Sequence, residues 1–218
     1  LSVNDSRDLV ISGSLDGNVY VWRLKANCNA LEFVLDFKAH EQFCSSICII
    51  GEKYNRSEGT KTIRFATCAN SDALKIWELQ ECGLETTKPK IRLVQNLLKK
   101  RSNEKFVFVG KMENAGQEYL VTVQQATNGY SVSLFTNIYE TFKNGPGGCN
   151  IVCKSSVYSK IELSGTKLYI AHLHNEIFEF NLSNCIKKLQ LITNQSSEEN
   201  KEVINRFKSE MFKFIMNL

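Results

Sequence analysis

Four groups of residues have types and spacings that could do chemistry. His40 and Cys44 lie four apart, and a neighbouring imidazole that takes a thiol proton is the arrangement of thiol hydrolases. Cys44, however, opens an apolar run through Cys48 to Ile50, where a thiol behaves as a small hydrophobe and resists ionisation. His172 and His174 stand at i and i+2, the spacing that shares one face of a strand, but two histidines without a third ligand make a poor metal site. Gly145-Pro-Gly-Gly148 lacks the Lys-Ser/Thr of a phosphate-cradling loop and reads as a turn. Neither Cys44-x3-Cys48 nor Cys149-x3-Cys153 has the tight spacing of a zinc knuckle. The residues therefore predict no catalytic group, no cofactor, no metal and no small-molecule substrate.

The remaining charged and sulfur-bearing residues bear on partners and compartment. Of the 8 cysteines, Cys44, Cys48 and Cys68 fall in apolar strand-like runs, and a 218-residue chain does not need disulfide staples. A reducing compartment, cytoplasm or nucleus, is expected. The net charge is +4, and the excess gathers between residues 88 and 111, where Lys99, Lys100, Arg101 and Lys105 form a short basic cluster. Such a cluster marks a solvated loop, a nuclear-import signal or a nucleic-acid contact, although no aromatic residues for base stacking are interleaved with it. No apolar run reaches the ~18 residues of a membrane span and no leader precedes the first patterned segment, so no membrane insertion is expected.

The elements that must position all these residues repeat. Asp8 to Leu24 reads as strand, tight turn at Asp16-Gly17, and strand, with period-2 alternation on both sides. Arg64 to Leu79 repeats it one turn residue shorter. Two weaker copies follow, Tyr119 to Phe135 around Asn128-Gly129 and Lys167 to Leu182 around His174-Asn175. Trp22, Trp77, Phe135 and Phe180 are the anchor aromatics of the four copies. Short flanking strands complete each hairpin: Leu1 to Val3, Ser46 to Ile50, Phe106 to Val109 and Val157 to Leu163 before, and Leu31 to Phe37, Ile91 to Gln95, a piece within 150–154 and Ile186 to Ile192 after. Surplus residues are assigned to polar loops at Gly51 to Thr62 and Gly83 to Lys90, where function would concentrate.

Ser12-Gly-Ser-x-Asp-Gly-x-Val-x-Val-Trp22 and Ala69-Asn-Ser-Asp-x-Leu-Lys-Ile-Trp77 resemble the WD40 repeat signature. The resemblance implies an all-β fold, a WD40-type β-propeller with about four four-stranded blades. It also implies a hydrogen-bonded network of His, Ser or Thr, Asp and Trp in each blade. His40, Thr67, Asp72 and Trp77 match those positions in the second copy, and Ser12, Asp16 and Trp22 in the first. These residues are expected to be structural. The third and fourth copies lack Asp and Trp and rest on pattern alone.

The expected blades are 1–38, 39–96, 97–154 and 155–194, the C-terminal part of a larger ring. Residues 195–218 place Val203, Ile204, Phe207, Met211, Phe212 and Ile215 at helical spacing, an amphipathic helix that either packs back on the blades or docks into a partner. By analogy of fold the chain is expected to be a non-enzymatic scaffold that binds other protein subunits of a multiprotein complex. The alternative is an RNA- or DNA-associated subunit, in ribosome biogenesis or chromatin work, that uses the basic 88–111 segment.

Overall fold

The computed structural model describes residues 1–25, 30–69, 73–82, 89–98, 105–126, 129–135, 149–152, 158–172, 177–184 and 186. They form four antiparallel meanders in chain order. Blade 1 is β1 (Ser2–Val3), β2 (Leu9–Gly13), β3 (Asn18–Lys25) and β4 (Ala30–Lys38); blade 2 is β5 (Cys44–Asn55), β6 (Thr60–Ala69), β7 (Ala73–Cys82) and β8 (Lys90–Leu98). Blade 3 is β9 (Lys105–Asn114), β10 (Gln117–Ala126), β11 (Gly129–Phe135) and β12 (Cys149–Val152). Blade 4 has three strands among the described residues, β13 (Tyr158–Ser164), β14 (Lys167–His172) and β15 (Ile177–Asn181). The first strands of all four blades, β1, β5, β9 and β13, contribute Ser2, Cys48, Gly110 and Ile161 to one open pocket of about 270 Å³. Sheets arranged with their inner strands around a shared axis are blades of a propeller.

The blades stack through three cores, and strand alternation decides which residue enters which. In β6, Ile63 and Phe65 pack toward blade 1, while Ala66 and Cys68 pack toward blade 3. In β7, Trp77 and Leu79 again face blade 1, and Leu74 and Ile76 face blade 3. Because both faces of an inner blade are covered, apolar residues sit side by side on opposite faces, as Phe65 beside Ala66 and Ile76 beside Trp77. Blade 3 repeats the division: Leu120 and Phe135 meet blade 2, and Val121, Val123 and Val132 meet Leu168 and Ile170 of blade 4. The anchors follow one rule. Trp77 faces blade 1, Phe135 faces blade 2 and Phe180 faces blade 3, each toward the blade before it. Beside both tryptophans the outer strand carries a β-bulge, between Val21 and Trp22 and between Ile76 and Trp77.

Two expectations are corrected here. Gly51 to Thr62 is not a loop: β5 and β6 stay paired out to Asn55 opposite Thr60, and β7 follows to Cys82. The residues are polar because this extension of blade 2 runs beyond the blade core, where Lys61 and Arg64 meet carboxylates instead of apolar neighbours. Ile186, expected in a strand, is helical and follows a helical turn at 182–184. Leu182 and Ile186 bury their side chains in the core between blades 3 and 4, and the spacing of four that serves this is helical. The remainder of the expected strand, Gly83 to Lys88 of the other expected loop, and the expected helix at 195–218 lie outside the described residues.

Blade 1 is fastened to blade 2 by backbone. Gly17, at the tip of the β2–β3 hairpin, accepts hydrogen bonds at its carbonyl from both Ala39 and His40 N–H, at 3.1 Å each, and Ser14 O accepts from Cys44 N–H at 3.1 Å. Gly17 has φ +84°, and a Cβ there would lie 2.1 Å from the His40 carbonyl oxygen. Gly59, at φ +59°, also has a left-handed backbone but open space around it. Gly59→Ala is therefore expected to cost the conformational penalty alone, about 1 kcal/mol, whereas Gly17→Ala should cost at least ~3 kcal/mol because backbone must move as well. Chemical denaturation of the two variants measures the difference, and equal losses would refute the joint as drawn.

Candidate interaction surfaces and the blade network

The linker between β4 and β5 carries His40, which is 2% exposed, into the seam between blades 1 and 2. Its Nε2 lies 2.8 Å from Thr67 Oγ1, and Trp77 Nε1–H donates to the same hydroxyl at 2.9 Å. The expected trio of His40, Thr67 and Trp77 is thus assembled, with Phe37 edge-on to the Trp77 ring at 4.7 Å. Burying an indole N–H, an imidazole nitrogen and a hydroxyl is tolerable only when they hydrogen-bond, and Thr67, at the middle of β6, bonds both rings. Lys75 reaches the same linker and donates to Ala39 O at 2.6 Å. Asp72, the fourth expected member, lies outside the described residues.

In blade 1, Trp22 Nε1–H donates to Ser12 Oγ at 2.9 Å, the counterpart of the Trp77–Thr67 bond. Asp16 sits on the exposed turn, where its carboxylate accepts from Asn18 N–H at 3.0 Å and from the Asn18 side chain at 2.9 Å. The Asn18 backbone bond and then the Ser14 hydroxyl hold its carboxyl below the ordinary value. Asp16 thus braces a turn, and its carbonyl accepts from Lys38 Nζ at 2.6 Å.

The thiol-hydrolase pairing meets an opposing geometry. His40 Nε2 is engaged by Thr67, and burial pushes the Cys44 thiol up to about 11. Burial likewise raises Cys48 and Cys68 to about 12. All three are free and buried, and thiols held this high behave as core hydrophobes. His172 ends β14, while His174 and Gly145 to Gly148 lie outside the described residues. No group of three His, Cys, Asp or Glu among the described residues could hold a metal ion. No helix among them is long and apolar enough to cross a membrane. Of the basic cluster, Lys105 opens β9 and is exposed; Lys99, Lys100 and Arg101 lie outside the described residues, as do Phe207, Met211, Phe212 and Ile215.

Two features escaped the sequence reading. One is a polar clasp between blades 1 and 2: Lys61 Nζ lies 3.0 Å from Asp8 and 3.1 Å from Glu52, and Asn4 donates to Asp8 at 2.5 Å and to Glu52 at 2.9 Å. The other is an open notch of about 480 Å³ along the blade 2 extension, with exposed Tyr54 and Lys53 at its edge and Arg64 paired to Glu78 at its floor. Both arise from residues far apart in sequence, brought together by the pairing of β5 with β6 and of β6 with β7 and by the packing of blade 1 on blade 2.

The chain matches no protein-family model. No curated protein is detectably similar in sequence. Among solved structures it is similar to the WD40 domain of SCAP from fission yeast, with 11% identity over 84% of this chain and 39% of that one, TM-score 0.46. It is also similar to the Myceliophteria thermophila Cps50 (Swd1) β-propeller domain, with 10% identity over 81% of this chain and 48% of that one, TM-score 0.43. Saccharomyces cerevisiae Sqt1 gives 10% identity over 81% of this chain and 56% of that one, TM-score 0.41. The chain therefore spans 39% to 56% of the length of these three structures.

Two outcomes test the site. Thr67→Val keeps shape but strands the Trp77 N–H and the His40 imidazole, so it should cost about 2 kcal/mol or more, against under ~1 kcal/mol for Ser12→Ala at the half-buried Trp22. Denaturant titration of both variants checks the order. The clasp should titrate at both ends of the pH scale. Burial raises the Asp8 and Glu52 carboxyls, but hydrogen bonds from Asn4, Ser6 and Lys61 outweigh it, and both end below their ordinary 3.8 and 4.5. Burial lowers Lys61, but Asp8 and Glu52 outweigh it and leave it above 10.5. The carboxylate contribution is complete above 4.5 and disappears as pH falls through the depressed folded values; the lysine contribution is complete below 10.5 and disappears as pH climbs past its raised one. Melting curves of the native chain and Lys61→Met should therefore differ at neutral pH and converge below pH 3.8.

Four antiparallel meanders stacked in chain order, with the anchor aromatics of blades 2 to 4 facing the preceding blade, are the blades of a β-propeller fold.

Proposed function

We propose that this chain is a protein-interaction scaffold, a subunit that holds other proteins in an assembly. The observation that carries the reading is a pair of exposed apolar side chains on a rigid joint. Leu15 is 79% exposed at the tip of the β2–β3 hairpin, and Phe43 is 37% exposed on the β4–β5 linker. The backbone bonds between Ser14 and Cys44 and between Gly17 and residues 39–40 hold those two segments together. Apolar side chains presented on a preorganised backbone lose little entropy on binding, which is the physical character of an interface anchor. Among the described residues, His40 is held in the network and Cys44, Cys48 and Cys68 lie buried.

The test is affinity purification of the protein from its own cells, followed by mass spectrometry, with nuclease and raised-salt washes in parallel. A set of protein partners that survives both washes, and that Leu15→Asp together with Phe43→Asp depletes at least tenfold without lowering the melting temperature, is the expected result. Loss of the whole set under nuclease or salt would move the reading to a nucleic-acid-associated subunit.

A further inference from the structure

Strand alternation sorts charge on the blade 2 extension. Residues directly opposite one another in antiparallel strands share a face, so Lys53, Thr62, Gln80 and Lys90 lie on one side, with Arg64, Glu78 and Arg92 beside them. This side continues Ala66 and Ile76, which pack toward blade 3. The other side continues Ile63 and Leu79, which pack toward blade 1, and it carries Glu52, Lys61 and Glu81. There the carboxylates are engaged, Glu52 by Lys61 at 3.1 Å and by Asn4 at 2.9 Å, and Glu81 by Arg23 of blade 1 at 2.7 Å. Between the core and the turn at 56–59, the blade 3 side therefore holds four cations, Lys53, Arg64, Lys90 and Arg92, against the single carboxylate of Glu78.

Glu78 orders this charge without cancelling it. Its Oε1 accepts from Arg64 Nε at 3.1 Å and its Oε2 accepts from Arg92. Burial raises the Glu78 carboxyl, but the hydrogen bonds from Arg64 and Arg92 outweigh it and hold it below 4.5. One ionised carboxylate thus fixes two guanidinium groups, while the Arg92 side chain stays 73% exposed and Lys53 and Lys90 are exposed as well. The open notch of about 480 Å³ lies along this side, lined by Lys53, Thr62, Arg64 and Glu78. On the blade 3 edge the sign changes. Lys111 and Glu118 share the face of Leu120 and pair at 2.6 Å, and exposed Glu113 stands opposite Glu118.

The dimensions favour a short polyanion. Strands about 4.8 Å apart put the β5 and β8 cations about 14 Å from each other. Alternate side chains of an extended peptide recur about every 6.7 Å, so acids at three alternate positions span that distance. A nucleic-acid strand gains less here: Tyr54 shares the Lys61 side, and no aromatic residue stands on the basic side among the described residues to stack with a base.

We propose that the basic side of the blade 2 extension docks an acidic segment of a protein partner, an extended stretch with carboxylates at alternate positions. It rests on the scaffold reading for the partner being a protein, and it adds a second contact at the end of β5 remote from Leu15 and Phe43.

The test is fluorescence anisotropy of the full-length protein at low ionic strength. The probes are an eight-residue peptide of alternating Glu and Ser, its Gln–Ser counterpart and an oligouridine of equal charge. The Glu–Ser peptide should bind and be released by salt, the Gln–Ser peptide should not bind, and the oligouridine should bind more weakly. Lys53→Gln, Lys90→Gln and Arg92→Gln together leave Arg64 and Glu78 to cancel each other, and should weaken the Glu–Ser peptide at least about tenfold. Lys25→Gln, Lys105→Gln and Lys160→Gln remove the same charge from exposed positions elsewhere and should weaken it far less, as should Leu15→Asp with Phe43→Asp. Melting curves confirm that each variant folds. No binding of the Glu–Ser peptide, equal losses in the two Gln triples, or tighter binding of the oligouridine would overturn the proposal. An empty partner list beside selective peptide binding counts against the scaffold reading and leaves the site standing.

Discussion

The contact on which the rest of the array depends is the approach of the Gly17 carbonyl to the backbone of Ala39 and His40. It is a constraint on three scales at once. Locally it requires a residue without Cβ and with positive φ at the hairpin tip. Between blades it fixes the height at which the linker crosses from β4 to β5, so His40 arrives opposite Thr67 and Phe37 opposite Trp77. At the surface it anchors the loops that expose Leu15 and Phe43. A single close backbone contact thus ties turn chemistry to seam geometry and seam geometry to the exposed rim.

Around that joint the seam is built in layers of different physics. The middle is apolar and close-packed, with Ile63 and Phe65 fully buried against Leu9, Ile11, Val19 and Val21. One end is closed by the His40–Thr67–Trp77 bonds, and the other by the Lys61–Asp8–Glu52 clasp. The apolar layer supplies most of the stabilisation but has no preferred register of its own. The polar layers above and below it are directional, so they select one rotation of blade 1 on blade 2. Because the clasp is partly exposed and screened, its role is alignment more than energy.

Much of this was legible in the sequence, and the parts that were not share a cause. The anchors Trp22, Trp77, Phe135 and Phe180 were found from the repeat pattern, even where the signature tryptophan is absent, because in blades 2 to 4 the aromatic of the third strand packs toward the preceding sheet. His40 and Thr67 were legible only through the family resemblance: nothing in the spacing of residues 27 apart says that they touch. The extension at Gly51 to Thr62 was misread because polar residues paired outside a core carry no hydrophobic alternation, and alternation is the signal from which strands are read. The strand expected at Phe106 to Val109 runs on to Asn114 and turns through Ala115 and Gly116 at φ +51° and +76° into β10. Ile186 was lost to the opposite error, an apolar residue that buries itself from a helical turn after the strand pattern ends.

The same distinction separates architecture from chemistry in this chain. A histidine four residues from a cysteine is ambiguous in one dimension, because a catalytic pair and two unrelated structural residues can have the same spacing. In three dimensions the two roles impose opposite demands. A nucleophile needs a lowered thiol pKa and access to solvent, whereas a core thiol is dehydrated and its pKa rises. Cys44 is 4% exposed and pushed up to about 11, and the imidazole that could have activated it is held on Thr67 by the linker that the Gly17 joint positions. The contacts that join blade 1 to blade 2 thus also hold His40 on Thr67 and bury Cys44.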